Sequence, residues 1–119
     1  MHGRYLEATA EEITAATQAV EAALRHPIVR RAAAAAALGL CRREVPVAVR
    51  LPDGSVADGI VDLTFREGGE ADAVWTIVDF KTDVEASGRR QVYQAQTELY
   101  ARAVTDSTGA SARAVLLSV

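Results

Sequence analysis

Cysteine is nearly absent from this sequence: Cys41 is the single one among 119 residues. One thiol cannot form an internal disulfide and leaves no cysteine cluster for a zinc or iron–sulfur site. We interpret Cys41 as a small buried hydrophobe rather than as a reactive thiol. Neither a disulfide framework nor a cysteine-bound metal is therefore expected.

A surplus of basic residues is also missing. Lys and Arg number 13 against 16 Asp and Glu, which gives a formal net charge of −3. Domains that bind nucleic acid tightly on their own usually carry a basic excess, so the composition argues against a free-standing binder of that kind. It leaves room for a catalytic domain whose substrate is delivered by a larger partner.

Long apolar runs and nucleotide-binding loops are absent too. The chain has no 18-residue apolar span and no signal peptide, because Arg30 and Arg31 interrupt the alanine-rich segment, which lies inside the chain. We therefore expect no membrane contact and a cytoplasmic location. The chain also lacks a G-x-x-x-x-G-K-[ST] loop, so we do not expect it to hydrolyse ATP itself.

The residues that are present predict one domain over residues 1–119, with helices first and strands after. The segment TAEE, Thr9 to Glu12, is typical of a capping box at the start of a helix. Apolar residues then recur at helical spacing, at Ile13, Ala16, Val20, Ala23 and Leu24. A second helix is predicted from Pro27 to Gly39. We interpret His26 as a residue of the helix junction rather than as a ligand.

Strands make up the middle of the chain. The segments REVPVAVRL, VADGIVDLTF and VWTIVDFKT have strand-like alternation, and the turn segment PDGS separates the first two. A helix is predicted from about Ser87 to Thr105. Its apolar residues in phase are Val92, Ala95, Leu99, Ala103 and Val104. ARAVLLSV is predicted to form a last, buried strand, so that the order is α-α-β-β-β-α-β, a mixed α/β or α+β domain.

Alternation along the strands is expected to bring acids together. Asp79 and Lys81 lie two residues apart and should share one face of the third strand. In the second strand one face should hold Val61, Leu63 and Phe65. If the meander pairs in register, each strand turns its apolar face to one core and an acid to the opposite face. The acids placed beside Lys81 in this way are Glu44, Asp62 and Asp79.

Three acids and a lysine on one face would suit phosphodiester hydrolysis. Carboxylates bind Mg²⁺, which activates water and offsets charge on phosphorus. Lys81 could orient that water or stabilise the transition state. The alternative is the solvent-facing side of a sheet, where acids and lysines are ordinary. For Glu44, an ion pair with a nearby arginine is an equally open interpretation.

At this point four linked motifs resemble a known family. ADGIVDL, WTIVDFKTD and YQAQTELYARAV, with REVPV before them, resemble the RecB-like nuclease family of the PD-(D/E)XK superfamily. The likeness is to the nuclease domain at the C-terminal end of UvrD/AddA-type helicase–nucleases. The residues that match the family pattern are Gly59, Asp62, Leu63, Asp79, Phe80, Lys81, Thr82, Tyr93, Gln96 and Tyr100.

The resemblance implies a restriction-endonuclease-like core, with a central mixed sheet flanked by helices, and a role for each matching residue. Asp62 and Asp79 would bind Mg²⁺ or Mn²⁺ together with the backbone carbonyl of Phe80, and Glu44 is a further candidate ligand. Lys81 would be the catalytic lysine. Gln96 and Tyr100, one helical turn apart, would approach the site. For Tyr93, a place at the edge of the core is as open as a role in the site.

The function that the resemblance implies is a Mg²⁺-dependent DNA exonuclease domain in repair and recombination. Its DNA would arrive as a single strand from helicase motor domains or a partner subunit. Family members carry an upstream helix with a metal-binding histidine, which this chain is expected to lack, and His2 does not have that helix's context. The alternative is a catalytically impaired nuclease-like domain that guides DNA or docks a protein.

Overall fold

The computed structural model describes residues 7–118, which form a mixed α/β domain with a four-stranded mixed sheet and flanking helices. The elements are α1 (Ala10–Arg25), α2 (Pro27–Ala37), β1 (Cys41–Arg50), β2 (Val56–Glu67), β3 (Val74–Lys81), α3 (Asp83–Ala86), α4 (Arg90–Thr108) and β4 (Ser111–Ser118). Over this part of the chain, no helix is long and apolar enough to cross a membrane.

The sheet follows the order β1-β2-β3-β4. β1 and β2 are antiparallel, as are β2 and β3, and α4 connects β3 to the parallel strand β4. A parallel neighbour requires such a crossover, because the chain must return to the same end of the sheet. The ladder between β2 and β3 runs only from Leu63↔Val78 to Glu67↔Val74. On the N-terminal side of Leu63, β2 pairs with β1 and no longer with β3.

The first two helices begin where the sequence predicts. The Thr9 hydroxyl accepts a hydrogen bond from the backbone N–H of Glu12 at 3.1 Å, which satisfies one of the free donors at a helix start. His26 ends α1 and caps α2, since its Nδ1 accepts from the N–H of Ile28 at 3.1 Å. The interpretation of His26 as a junction residue is therefore confirmed.

The helix predicted from about Ser87 begins later in the structure, and a short helix that was not predicted precedes it. α3 is a single turn, closed by a capping box between Thr82 and Glu85, and α4 starts only at Arg90. Gly88 separates the two helices with a φ of 71°, a left-handed conformation that glycine adopts without steric cost. α4 then runs past the predicted end, to Thr108.

Both faces of the sheet are buried, which corrects the expectation of one core and one polar face. One cluster of buried residues packs against α2 and consists of Ala32, Ala35, Leu63, Phe65, Val78 and Leu117. The other packs against α4 and consists of Val61, Ile77 and Ala101. Val61 therefore does not share a face with Leu63 and Phe65. Burial on both sides is usual for a sheet that carries a helical crossover.

The change of face coincides with an interruption in the first ladder. Arg43 pairs with Leu63 and Val45 with Val61, but Glu44, between them, has a φ of 53°. Strict alternation assumes an extended backbone at every residue. A left-handed residue in the middle of β1 breaks that assumption, and no property of the Glu44 side chain signals it.

Two apolar stripes are less buried than their spacing predicts. On α4 the deeply buried residues are Thr97 and Ala101, whereas Val92 and Leu99 are 57% and 40% exposed. The Thr97 hydroxyl donates to the carbonyl of Tyr93 at 2.8 Å, which allows a polar side chain to be buried there. α1 buries none of its residues within the described chain.

Cys41 lies at the start of β1 and is half-buried. It packs against the cluster beneath α2, and burial raises the pKa of its thiol. A thiol with a raised pKa is a poor nucleophile at neutral pH. The structure thus agrees with the interpretation of Cys41 as a small hydrophobe.

Candidate functional site

Asp62 and Asp79 lie where the ladder between β2 and β3 ends. The last pair of that ladder is Leu63↔Val78, and in an antiparallel register the next residues outward are Asp62 and Asp79. The Oδ2 atom of Asp62 accepts a hydrogen bond from the backbone N–H of Phe80 at 2.9 Å. A carboxylate thus takes the place of a backbone acceptor and is fixed against β3.

Lys81 stands beside Asp79, as the spacing of two residues in a strand predicts. Its Nζ lies 3.3 Å from Oδ2 of Asp79, and the two side chains are only 20% and 15% exposed. An ion pair this sheltered from water interacts more strongly than one on an open surface. The two groups therefore form a fixed part of the site.

The charges at this site are not balanced by the lysine alone. The pKa of Asp79 is raised to about 6. Burial is the largest cause and the neighbouring Asp62 carboxylate adds to it, whereas Lys81 opposes the shift without cancelling it. A carboxyl group next to an ammonium ordinarily has a lowered pKa. Burial and the second carboxylate together outweigh the single ammonium, so two acids share one cation at this site.

Lys81 itself remains charged. Burial disfavours its ammonium form, but the neighbouring carboxylates of Asp79 and Asp62 outweigh that effect and raise its pKa. A charged ammonium can stabilise negative charge on a substrate, whereas a neutral amine would act as a base. The site thus presents Lys81 as a cation at neutral pH.

Tyr93 contacts the site from the first turn of α4. The Nζ of Lys81 lies 4.9 Å from the centroid of its ring, and the Cζ of Arg89 lies 5.3 Å from the same centroid. Cations at this distance are attracted by the electrons of the ring. Between the two interpretations of Tyr93, the structure favours a place beside Lys81. Sequence reasoning missed Arg89, although its position four residues before Tyr93 was available as a signal.

Gln96 and Tyr100 form a pair on the next turns of α4. The Nε2 of Gln96 donates to the hydroxyl of Tyr100 at 3.1 Å. Tyr100 in turn lies directly on Gly59, where a Cβ atom would stand 1.9 Å from its hydroxyl oxygen. Within residues 7–118 neither side chain hydrogen-bonds to the acids or to Lys81, so the expected approach of this pair to the site is not present as a direct hydrogen bond.

An open cleft lies on the other side of the acids. Its walls are Arg43, Glu44, Asp62 and Phe80. Glu44 is exposed, and the ion pair with a nearby arginine is not found among residues 7–118. Residues 7–118 contain no group of three or more acid, histidine or cysteine side chains arranged to hold a metal. Arg43 is a second residue of the site that sequence reasoning missed.

The two aspartates nevertheless suit a divalent cation. Their mutual repulsion contributes to the raised pKa of Asp79, and a bound cation would relieve it. Mg²⁺ commonly takes only one or two protein carboxylates and completes its shell with water and substrate phosphate. Asp62 and Asp79 would be the side-chain ligands. His2 lies outside the described residues, and the Nδ1 of His26 is already engaged in capping α2.

Comparisons with protein-family models, with curated proteins and with solved structures found no match to this chain. What the chain does must therefore be inferred from its residues and from the geometry described above.

Proposed function

We propose that this chain is a metal-dependent DNA nuclease domain of the RecB-like, PD-(D/E)XK type. The observation that carries the proposal is the cluster of Asp62, Asp79 and Lys81 at the end of the β2–β3 ladder. The order of its elements is compatible with the restriction-endonuclease-like core. The reaction would be hydrolysis of a phosphodiester bond, in which a water oxygen bonds to phosphorus and one ester P–O bond breaks.

The metal would be held by the two carboxylates and by the backbone carbonyl of Phe80, with Glu44 as a further candidate from the cleft wall. Mg²⁺ or Mn²⁺ bound there supplies Lewis-acid stabilisation of the charge that develops on the phosphoryl oxygens. The hydrogen bond from Phe80 N–H keeps the Asp62 carboxylate in place before any ligand arrives. Such preorganisation spares the site a rearrangement during the reaction.

Lys81 would supply the second positive charge. It is the only lysine in a chain whose other 12 basic residues are arginines, and an ammonium is a compact point charge with donors that can rotate. Held by Asp79 and against Tyr93, it could orient the attacking water and stabilise the phosphoryl oxygens. Gln96 and Tyr100 would position DNA or β3, the strand that carries Lys81.

The substrate would be DNA, delivered as a single strand by helicase motor domains or a partner subunit. A domain with net charge −3 gains little from nonspecific attraction to DNA. Delivery by a motor removes the need for such attraction. The setting that this favours is exonuclease activity in repair and recombination, in the cytoplasm.

The proposal is tested by cleavage of a fluorescein-labelled single-stranded oligonucleotide in Mg²⁺, in Mn²⁺ and in EDTA. We expect cleavage only with metal, and its loss in Lys81→Ala. Glu67→Gln is the matched control, because Glu67 also pairs with a cation at the opposite end of the same ladder. Metal-dependent cleavage that survives Lys81→Ala would show that the assigned site is wrong.

A second candidate is a nuclease-like domain that guides DNA or docks a protein without cleaving DNA. It is favoured by the two-carboxylate site, since among residues 7–118 no three acid, histidine or cysteine side chains are grouped to hold a metal. Calorimetric titration with Mg²⁺ and Mn²⁺ separates the candidates from a purely structural cluster. Binding that is lost in Asp62→Asn, without cleavage by the wild type, would favour this second function.

A further inference from the structure

Two arginines flank the candidate site on opposite sides. Arg43 lines the cleft that ends at Asp62 and Phe80, and Arg89 lies against the ring that also contacts Lys81. Both are exposed, and neither forms an ion pair with any residue between 7 and 118. Their guanidinium groups are thus available to a ligand that spans the site.

The position of Arg43 is fixed by the sheet. It pairs with Leu63 across the β1–β2 ladder, and so lies on the strand next to Asp62. The left-handed residue that follows it, Glu44, interrupts the edge strand at this point. Residues in sparsely populated backbone conformations are often found at ligand sites. Here the interruption leaves an open cleft between the arginine and the acids.

The position of Arg89 is fixed by Tyr93. The same ring is contacted by Arg89 and by Lys81, with cation-to-centroid distances of 5.3 and 4.9 Å. Two cations repel each other, and the electron-rich ring offsets part of that repulsion. An anion bound between them would offset more. Arg89 therefore adds a second positive charge beside Lys81.

We infer that Arg43 and Arg89 bind the backbone phosphates on either side of the scissile one, so that the DNA strand crosses β1, β2 and β3 instead of running along them. This inference rests on the proposed function. Neighbouring strands are about 4.8 Å apart, so β1 and β3 are separated by roughly 10 Å. Arg43 lies on β1, whereas Arg89 contacts the ring beside Lys81, the last residue of β3. A strand that reaches both arginines must therefore cross β2.

Arginine suits this role because its planar, always charged guanidinium donates two parallel hydrogen bonds to phosphate oxygens. Contacts to phosphate place a strand in register without reading its sequence. The two arginines would therefore fix which bond faces Asp62, Asp79 and Lys81. They would bind any base composition alike.

The test measures binding of a 5′-fluorescein-labelled 12-nucleotide oligo-dT by fluorescence anisotropy, in EDTA so that no cleavage occurs. The salt concentration is varied and the slope of log K against log salt is determined. Each lost phosphate contact on a single strand should reduce that slope by about 0.7. We expect this reduction, with Kd raised roughly 3- to 10-fold, in Arg43→Gln and Arg89→Gln, and recovery in Arg43→Lys and Arg89→Lys.

Two exposed arginines away from the site provide matched controls. Arg50 lies at the other end of β1, and Arg102 lies in the second half of α4. Arg50→Gln and Arg102→Gln should leave the slope unchanged. Equal changes in controls and site variants, no change in either, or no binding by the wild type would overturn the inference.

Cleavage of the same oligonucleotide in Mg²⁺ separates this inference from the proposed function. Cleavage by the wild type, with binding slopes unaffected in Arg43→Gln and Arg89→Gln, would reject the crossing path and leave the nuclease assignment intact. Binding that depends on both arginines, without cleavage, would retain the path and reject the catalytic activity.

Discussion

The β2–β3 ladder has an acid and a base at each of its ends, and the two pairs differ in their electrostatics. At the end marked by Glu67↔Val74, Arg31 reaches from α2 to Glu67, with its Nε 3.1 Å from Oε2 and a second contact through its terminal nitrogen. Hydrogen bonding to the partner lowers the pKa of Glu67 and raises that of Arg31. Each group stabilises the charged form of the other.

At the opposite end, Lys81 lies 3.3 Å from Asp79, yet the pKa of Asp79 is raised. Burial is the first cause and the Asp62 carboxylate is the second. A pair neutralises itself, whereas two acids with one lysine retain a negative charge that favours a further cation. The two pairs look alike as a distance but differ in charge balance: Arg31 and Glu67 stabilise each other's charged form, whereas at Asp79 burial and the Asp62 carboxylate outweigh Lys81.

The largest effect is expected from Lys81→Arg, which keeps the charge but changes its shape. The planar guanidinium is larger and less mobile than an ammonium, so it should fit poorly between Asp79 and Tyr93. We expect cleavage of single-stranded DNA to fall by about 10²-fold or more, measured as initial rate in Mg²⁺. Arg31→Lys, the reverse exchange at the structural end, should leave the rate within about twofold. Similar losses in both variants would remove the functional difference between the two ends.

The two ends should also differ in how pH affects stability. In the metal-free protein the folded state keeps the Asp79 proton up to about pH 6, whereas the unfolded chain releases it near pH 4. Folding thus binds a proton between these values, and stability falls as pH rises through this window. Glu67, with a lowered pKa, has the opposite sign: its contribution is present at neutral pH and is lost as pH falls.

Urea unfolding in EDTA at pH 4.5, 5.5 and 7 measures this difference. Relative to the wild type, Asp79→Asn should gain about 2 kcal/mol of stability between pH 4.5 and 7. Glu67→Gln should show no such gain. A stability difference between wild type and Asp79→Asn that is constant over this range would mean that the proton of Asp79 is not retained on folding.

Sequence patterns predicted the pairing of Asp79 and Lys81 at one end of the β2–β3 ladder because the residues involved are close in sequence. Asp79 and Lys81 are two residues apart in a strand, and the cap contacts of Thr9 and His26 span two or three residues. In each of these cases a short spacing rule is sufficient, since the backbone geometry within one element is fixed. Asp62 is different, because strict alternation fails in its own strand between Val61 and Leu63.

The patterns failed where the outcome depends on packing between elements. The left-handed Glu44 and the change of face between Val61 and Leu63 depend on how β1 and β2 bend between two helices. Arg43 was missed because only the folded sheet brings it to the cleft beside Asp62. Two missed features had local signals: Arg89 precedes Tyr93 by four residues, and Gly88 marks the break between α3 and α4.

A smaller effect, on stability, is expected where α4 packs on β2 near the site. In Gly59→Ala the new methyl carbon would stand 1.9 Å from the hydroxyl oxygen and 2.3 Å from the Cζ of Tyr100. The ring must therefore move and give up its hydrogen bond with Gln96. We expect a loss of about 1 to 2 kcal/mol in the free energy of unfolding, measured by urea denaturation.

Gly69→Ala is the control, because there the nearest atom to a Cβ is a side-chain oxygen at 3.2 Å. Adding Tyr100→Leu should recover part of the loss in Gly59→Ala, since the clash is with the ring. If the loss in free energy of unfolding of the double variant equals the sum of the losses in the two single variants, the contact between Gly59 and Tyr100 does not determine the fit of α4 on β2.

The smallest effect is expected at the structural end of the ladder. The Arg31 and Glu67 side chains are 39% and 37% exposed, so water screens much of their attraction. A double-mutant cycle of Arg31→Met and Glu67→Gln should give a coupling of about 0.2 to 1 kcal/mol, and 0.5 M NaCl should reduce it. The measurement is again urea unfolding, at pH 7. A coupling above about 2 kcal/mol would show that this pair behaves as a buried one. Because the pair is self-neutralising, neither substitution should alter metal binding at the other end.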